Sequence, residues 1–202
     1  MSARSRDAGK GLDSIAVAKS IEDCGKVKSE WVIYKYPKME SEAQKLLHYL
    51  HHMLGWSVER VQDLGIFERP SVLWVPGNVL LNEGIDVLWH LAAGTAAPAP
   101  FNAGAYIGVG DGTAPESATQ TGLQGTNKAY KAMDAGYPSR PAANQCRWQS
   151  TFTGTEANFS WNEITVANGS SDAAANLNRK VQNLGTKAAG TTWIAKLTIT
   201  IS

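Results

Sequence analysis

The chain has 202 residues, 43% of them hydrophobic and 18% charged, which suits one compact domain with an appendage or two small domains and excludes wholesale disorder. Its 19 basic and 18 acidic residues leave a net charge of +1, without the basic excess that non-specific nucleic-acid binding needs. Cys24 and Cys146 stand in no metal or redox spacing, and no apolar stretch reaches secretory or membrane-spanning length. The expectation is a soluble product of a reducing cytosol, with no membrane or nucleic-acid partner.

In chain order, residues 1–30 have no amphipathic period and read as an extended polar arm, carrying Arg4, Arg6 and Lys10 and leading to Trp31. Such an arm frays unless something ties it down, so these residues are the expected assembly contacts. "EWVIYKY", 30–36, is a short strand. "SEAQKLLHYLHHMLGW", 41–56, spaces its apolar residues by three and four and predicts a helix, with Ser41 as cap and Gly55 as stop. "PSVLWVPGN" reads as a strand ending in a Pro-Gly turn. "NVLLNEGIDVLWHLAAG", 78–94, predicts a second helix with Leu81, Ile85, Leu88 and Leu91 or Ala92 on its buried stripe and Gly94 as cap. "TAAPAPFNAG" is a linker.

Beyond residue 100, Gly, Thr, Ala and Asn dominate and the periodicity becomes two. "RWQSTFTG" alternates, and "TTWIAKLTITIS" places Trp193, Ala195, Leu197, Ile199 and Ile201 on one face. In "ANFSWNEITVANG", Phe159 and Trp161 share a face from which Ile164 and Val166 are one residue out of phase. That slip predicts a β-bulge at Asn162–Glu163. The expected organisation is an arm and short strand over 1–40, a helical segment over 41–100 packed on the sandwich, and a β-sandwich over 101–202. The fold class is mainly β: an antiparallel, jelly-roll-like sandwich preceded by the arm and two helices.

The stretch "AYIGVGDGTAPESATQTGLQG" poses the sharpest chemical question. An apolar run, then Gly108, Gly110 and Gly112, then "PESATQTGL", which reads as a helix start, is the order in which many proteins hold a phosphate. Thr113 stands where a dinucleotide fingerprint needs its third glycine, and no lysine follows where a P-loop needs one. Glu116 in the first turn would also compete with a phosphate. The reading is a glycine-dependent turn at a strand exit, with Asp111 as an Asx-type turn residue.

His48 and His52 share a helical face, without HExxH or a third ligand at zinc spacing, so solvated or interface histidines are expected; His90 stands alone. Glu163 beside Trp161 lacks a second carboxylate for acid–base work and is expected to bond backbone groups freed by the bulge. No nucleophile arrangement occurs. The chain is expected to be no enzyme and to need no cofactor or metal. The seven tryptophans are expected mostly in the core, although Trp148 and Trp161 could stack sugars in an adhesin.

From about residue 78 to the C-terminus, "NVLLNEGIDVLWHLAAG", "PFNAGAYIGVGDGT", "ATQTGLQG", "MDAGYP", "ANFSWNEITVANG" and "LNRKVQNLGTKAAGTTWIAKLTITIS" follow in order. In this the chain resembles a group of tailed-bacteriophage structural proteins. The last third also has the rhythm of tail-collar and fibre-attachment domains: a strand ending in Glu plus Ile, a turn, then a Gly/Thr/Lys loop into a C-terminal strand. The resemblance implies a virion component, made in the host cytoplasm, with no catalytic residues. Its expected role is capsid decoration or cementing; a tail-associated or fibre-adaptor role is the alternative. Expected partners are the major capsid protein or tail and neck proteins. Homo-oligomers are also expected, a trimer among the candidate orders.

Overall fold

A computed structural model describes residues 26–38, 46, 50, 55–57, 60, 70–95 and 98–202. Arg4, Arg6, Lys10, Cys24, the three helix histidines and most of the helix expected over 41–56 lie outside the described residues.

The chain is mainly β. The elements are β1 (Val27–Tyr36), β2 (Ser71–Pro76), β3 (Val79–Leu80), α1 (Asn82–Ala93), β4 (Tyr106–Gly110), β5 (Lys128–Ala132), β6 (Gln145–Phe152), β7 (Ser160–Ala167), β8 (Asn178–Thr186) and β9 (Thr192–Ile201). They form two antiparallel sheets, ordered β2-β1-β9-β6 and β3-β8-β7-β4-β5. Both sheets contribute to one apolar cluster: Trp31, Ile33, Trp148, Phe152, Trp193 and Leu197 from the first, Ile107, Val109, Trp161, Ile164, Val166 and Leu184 from the second. This arrangement is consistent with a β-sandwich.

Alternation explains the layers. On β9, Trp193, Ala195, Leu197 and Ile199 are buried while the residues between them are half-buried. Trp161 sits between Phe152 and Trp193, edge-to-face with both at centroid distances of 4.8 Å. Its indole N–H donates to the Ala157 carbonyl and that of Trp148 to the Phe101 carbonyl, so each ring is buried without losing its polar bond.

Three expectations need correction. β1 lies between β2 and β9, and Trp31 is fully buried in the core. Its bulk serves the sandwich, so Trp31 is no arm contact. The helix expected over 78–94 begins at Asn82, because Val79 and Leu80 pair with Arg179 and Asn178 of β8. Its inner face is also different: Gly84 and Val87 are buried, whereas Leu88 and Leu91 are exposed. A Cβ on Gly84 would stand 2.5 Å from the Cα of Leu177, so only glycine lets the first turn lie on that backbone. That contact sets the rotation and leaves the leucines outside. Finally, 115–123 is not helical but irregular chain within a long loop.

Candidate functional site

The glycine stretch leaves β4 as half of a hairpin with β5. Asp111 N donates to Asn127 O and closes the neck, so that residues 112–126 form an Ω-like excursion. Asp111 reinforces the neck: its carboxylate accepts from Thr126 N, Asn127 N and Asn127 Nδ2 at 2.6–3.0 Å. Those bonds, the Asn127 side chain first, hold its carboxyl below the ordinary aspartate value.

The loop is a backbone cradle for an anion, and the anion is internal. Glu163 projects from β7 with no exposed surface, and its carboxylate accepts from Gly112 N (3.2 Å), Gln124 N (3.0 Å) and Gly125 N (2.7 Å). Arg179 of β8, equally buried, donates from Nε to Oε2 at 2.7 Å. Its Nη2 lies 2.7 Å from the same oxygen but off the line of a hydrogen bond, and the ion-pair contact is what that atom makes. Nη1 donates to Ala114 O (3.0 Å) and Gln120 Oε1 (2.9 Å), fastening the far side of the loop.

Close approach explains the glycines. A Cβ on Gly112 would fall 2.5 Å from Glu163 Oε1, and one on Gly110 would collide with the same oxygen. Gly108 faces Tyr130 and Thr165, where a Cβ would fall 2.7 and 2.8 Å from their side chains. The resemblance to a phosphate loop is therefore physical: amides converge on negative charge. A carboxylate saturated by three amides and a guanidinium has no free lone pair directed at solvent. It holds the loop and cannot serve as a general acid or base.

The bulge places Glu163 there. Pairing of β7 with β8 shifts register between Trp161 and Glu163, leaving Trp161 in the apolar core while Glu163 turns to the loop. Asn162, at the shift, donates from Nδ2 to Asp111 O at 3.1 Å. Thus Gly110, Asp111, Gly112, Asn162 and Glu163 meet in one place, while Gly108 lies further along β4 against Tyr130 and Thr165 and Trp161 belongs to the core.

Sequence reasoning passed over several contributors. Arg179 and Gly125 complete the cradle. Glu116 supplies an acceptor to Val181 N at 2.7 Å, doing for β8 what a neighbouring strand would do, rather than starting a helix. Glu83, in the first turn of α1, accepts from Asn176 N (2.8 Å) and Gly122 N (3.2 Å). Lys187 is 1% exposed and donates to Thr153 O (2.6 Å) and Asn158 Oδ1 (2.9 Å); burial pushes its pKa down. Only Arg179 carried a usable signal, a long charged side chain inside a strand; Glu83 lies in α1, and Glu116, Gly125 and Lys187 lie in loops, where nothing nearby in the chain points to their partners.

Elsewhere, a shallow cleft of about 330 Å³ is lined by Lys35, Tyr36, Ser71, Thr186, Thr191 and Trp193. Lys35 Nζ lies 4.6 Å from the Trp193 ring centroid and donates to Leu184 O. His90 bonds Thr95 Oγ1 through Nδ1 at 2.7 Å and lies 3.6 Å from Asp86. Among the described residues no group of three His, Cys, Asp or Glu side chains converges as for a metal, and no helix is long and apolar enough to cross a membrane.

Trp148 and Trp161, which an adhesin would have used to stack sugars, are 6% and 0% exposed, so neither presents a face for stacking. The exposed indoles are Trp74 on β2 and Trp89 on α1, at 59% and 69%, accompanied by Leu88 and Leu91. Comparison with protein-family models, with curated proteins and with solved structures returned no match.

Proposed function

We propose that the chain is a non-enzymatic structural protein of a tailed-bacteriophage particle, acting in capsid decoration or cementing. In this reading it oligomerises and grips the major capsid protein through its N-terminal region, with Arg4, Arg6 and Lys10 as arm contacts. The observation that carries the reading is the division of labour among side chains. The buried charged groups of the glycine loop are spent on internal backbone bonds, while Trp74, Leu88, Trp89 and Leu91 stand 44–69% exposed within one short stretch of chain. Leu88, Trp89 and Leu91, exposed together on α1, support a surface for a protein partner. The motifs behind the phage resemblance, including Glu163, Arg179, Lys187 and Trp193, are scaffold residues here, which suits a structural component.

A second reading, a tail-associated or fibre-adaptor protein, is favoured by the C-terminal third. β7 carries Glu163 and Ile164, β8 ends in Gly185 and Thr186, and Lys187 opens the turn into β9, an order of residues that supports the resemblance to tail-collar and fibre-attachment domains.

The test is incorporation of a Trp89→Glu variant into particles in competition with the native chain. The expected result is a normally folded protein excluded from particles. Equal incorporation of the two would overturn the assignment of this face.

A further inference from the structure

β2 ends the first sheet, and no described residue pairs with its outer edge. Its register fixes which backbone groups face that edge. Gly77 N donates to Ser29 O, and the register continues through Val75 opposite Trp31, Leu73 opposite Ile33 and Ser71 opposite Lys35. In an antiparallel ladder these alternate pairs exchange both bonds, so the N–H and C=O groups of Val72 and Trp74 point away from β1. Pro70 and Pro76 have the same outward parity and carry no N–H.

The edge is unusual in its side chains. Natural edges are commonly blunted with lysine, proline or an inward-pointing charge; here the prolines only bound the edge, and the donors of Val72 and Trp74 between them are left unblunted. The segment "PSVLWVP", 70–76, has no charged residue, and its outer-face side chains, Val72 and Trp74, are 42% and 59% exposed. It is also nearly symmetric about Leu73: valine opposes tryptophan, and proline opposes proline.

We infer that this edge pairs with the same edge of a second copy of the chain, antiparallel and two-fold, centred on Leu73. Val72 then exchanges both ladder bonds with Trp74 of the second copy, and Trp74 does the same with its Val72. The next pair outward on each side is Pro70 against Pro76, so the ladder stops where donors run out and no N–H is left unpaired. The two Trp74 rings lie on one face as diagonal neighbours, about 7–8 Å apart at the backbone and within reach of each other. The two four-stranded sheets become one continuous sheet across the axis. An isologous contact of this kind closes and forms no fibre. It holds whether or not the chain is a virion component.

The experiment is sedimentation of the full-length chain across the micromolar range, for the native protein and for Val72→Pro. The substitution removes only an N–H that points away from β1, and an edge strand tolerates proline there. The native chain is expected to dimerise, and Val72→Pro to fold with an unchanged circular dichroism spectrum while its dimer weakens roughly tenfold or more. A native chain that stays monomeric would overturn the inference, as would a dimer indifferent to Val72→Pro. Should that variant fail to fold, mixing Val72→Cys with Trp74→Cys chains decides. Such a bonded pair lies within disulfide range, at a Cα separation of about 5.5 Å. A cross-linked heterodimer specific to the mixture supports the register; its absence contradicts it.

Discussion

Glu163 on β7 and Arg179 on β8 meet at 2.7 Å with neither side chain exposed, and between them they hold both ends of the glycine loop. The worth of such a pair lies less in net attraction than in the cost of breaking it, because the survivor is a buried, uncompensated charge. Glu163→Gln is expected to lower unfolding free energy by about 3–5 kcal/mol in urea denaturation. Combining it with Arg179→Met is expected to cost clearly less than the sum of the two single changes. Strict additivity would show that the pair is not coupled.

The cradle also predicts a steric penalty at Gly112, where an added Cβ would reach within 2.6 Å of Gly125 N as well as touching the carboxylate. Gly112→Ala is expected to cost roughly 1–3 kcal/mol. Thr113→Ala, exposed on the same loop, is expected to stay within about 0.5 kcal/mol of the native chain. Equal stabilities for the two variants would count against the close contact.

Two tryptophans of opposite standing give a third comparison. Trp161→Ala removes a fully buried ring from between Phe152 and Trp193 and is expected to destabilise by about 3–5 kcal/mol. Trp89→Ala acts on a ring 69% exposed and is expected to change stability by about 0.5 kcal/mol or less. Denaturation of both variants side by side checks the assignment of core and surface.

Acid should unfold the chain through particular carboxylates. Hydrogen bonds led by Asn127 hold Asp111 below its ordinary value. For Asp172, desolvation pushes upward but the bonds from Lys128 and Tyr130 outweigh it; for Glu156, desolvation is outweighed by Lys131 and Thr153. Unfolded, all three titrate near pH 4, so around that pH the unfolded chain binds more protons. Their stabilising contribution is complete above this range and is lost as pH falls through the depressed folded values. The urea midpoint is therefore expected to fall below about pH 4, and to fall less steeply in Asp111→Asn. A pH-independent midpoint would refute this.

Much of the sheet structure was legible because a half-buried strand advertises itself every second residue, as β9 does. The phase break in "FSWNEITV" coincides with the register shift between Trp161 and Glu163, since a bulge is a local event written in adjacent residues. What the sequence withheld were long-range partners. Nothing near Gly112 in the chain points to Glu163 or Arg179, and the strand–glycine–helix pattern suggested a helix where the side chain of Glu116 caps a strand edge instead. The rotation of α1 was equally hidden, because it follows from Gly84 meeting the backbone at Leu177 and not from helical periodicity. Trp31 follows directly on a polar stretch and so reads as part of the arm, although it occupies the buried face of a central strand.

The most direct measurement of the proposed role is quantitative mass spectrometry of particles purified from cells that carry and express this coding sequence, ratioed to their major capsid protein. A copy number comparable to that of the capsid protein is the expected result and fits decoration of the shell; a small fraction of it would move the chain to the tail. Absence from particles, with the chain abundant in the lysate that yields them, would contradict a virion role altogether.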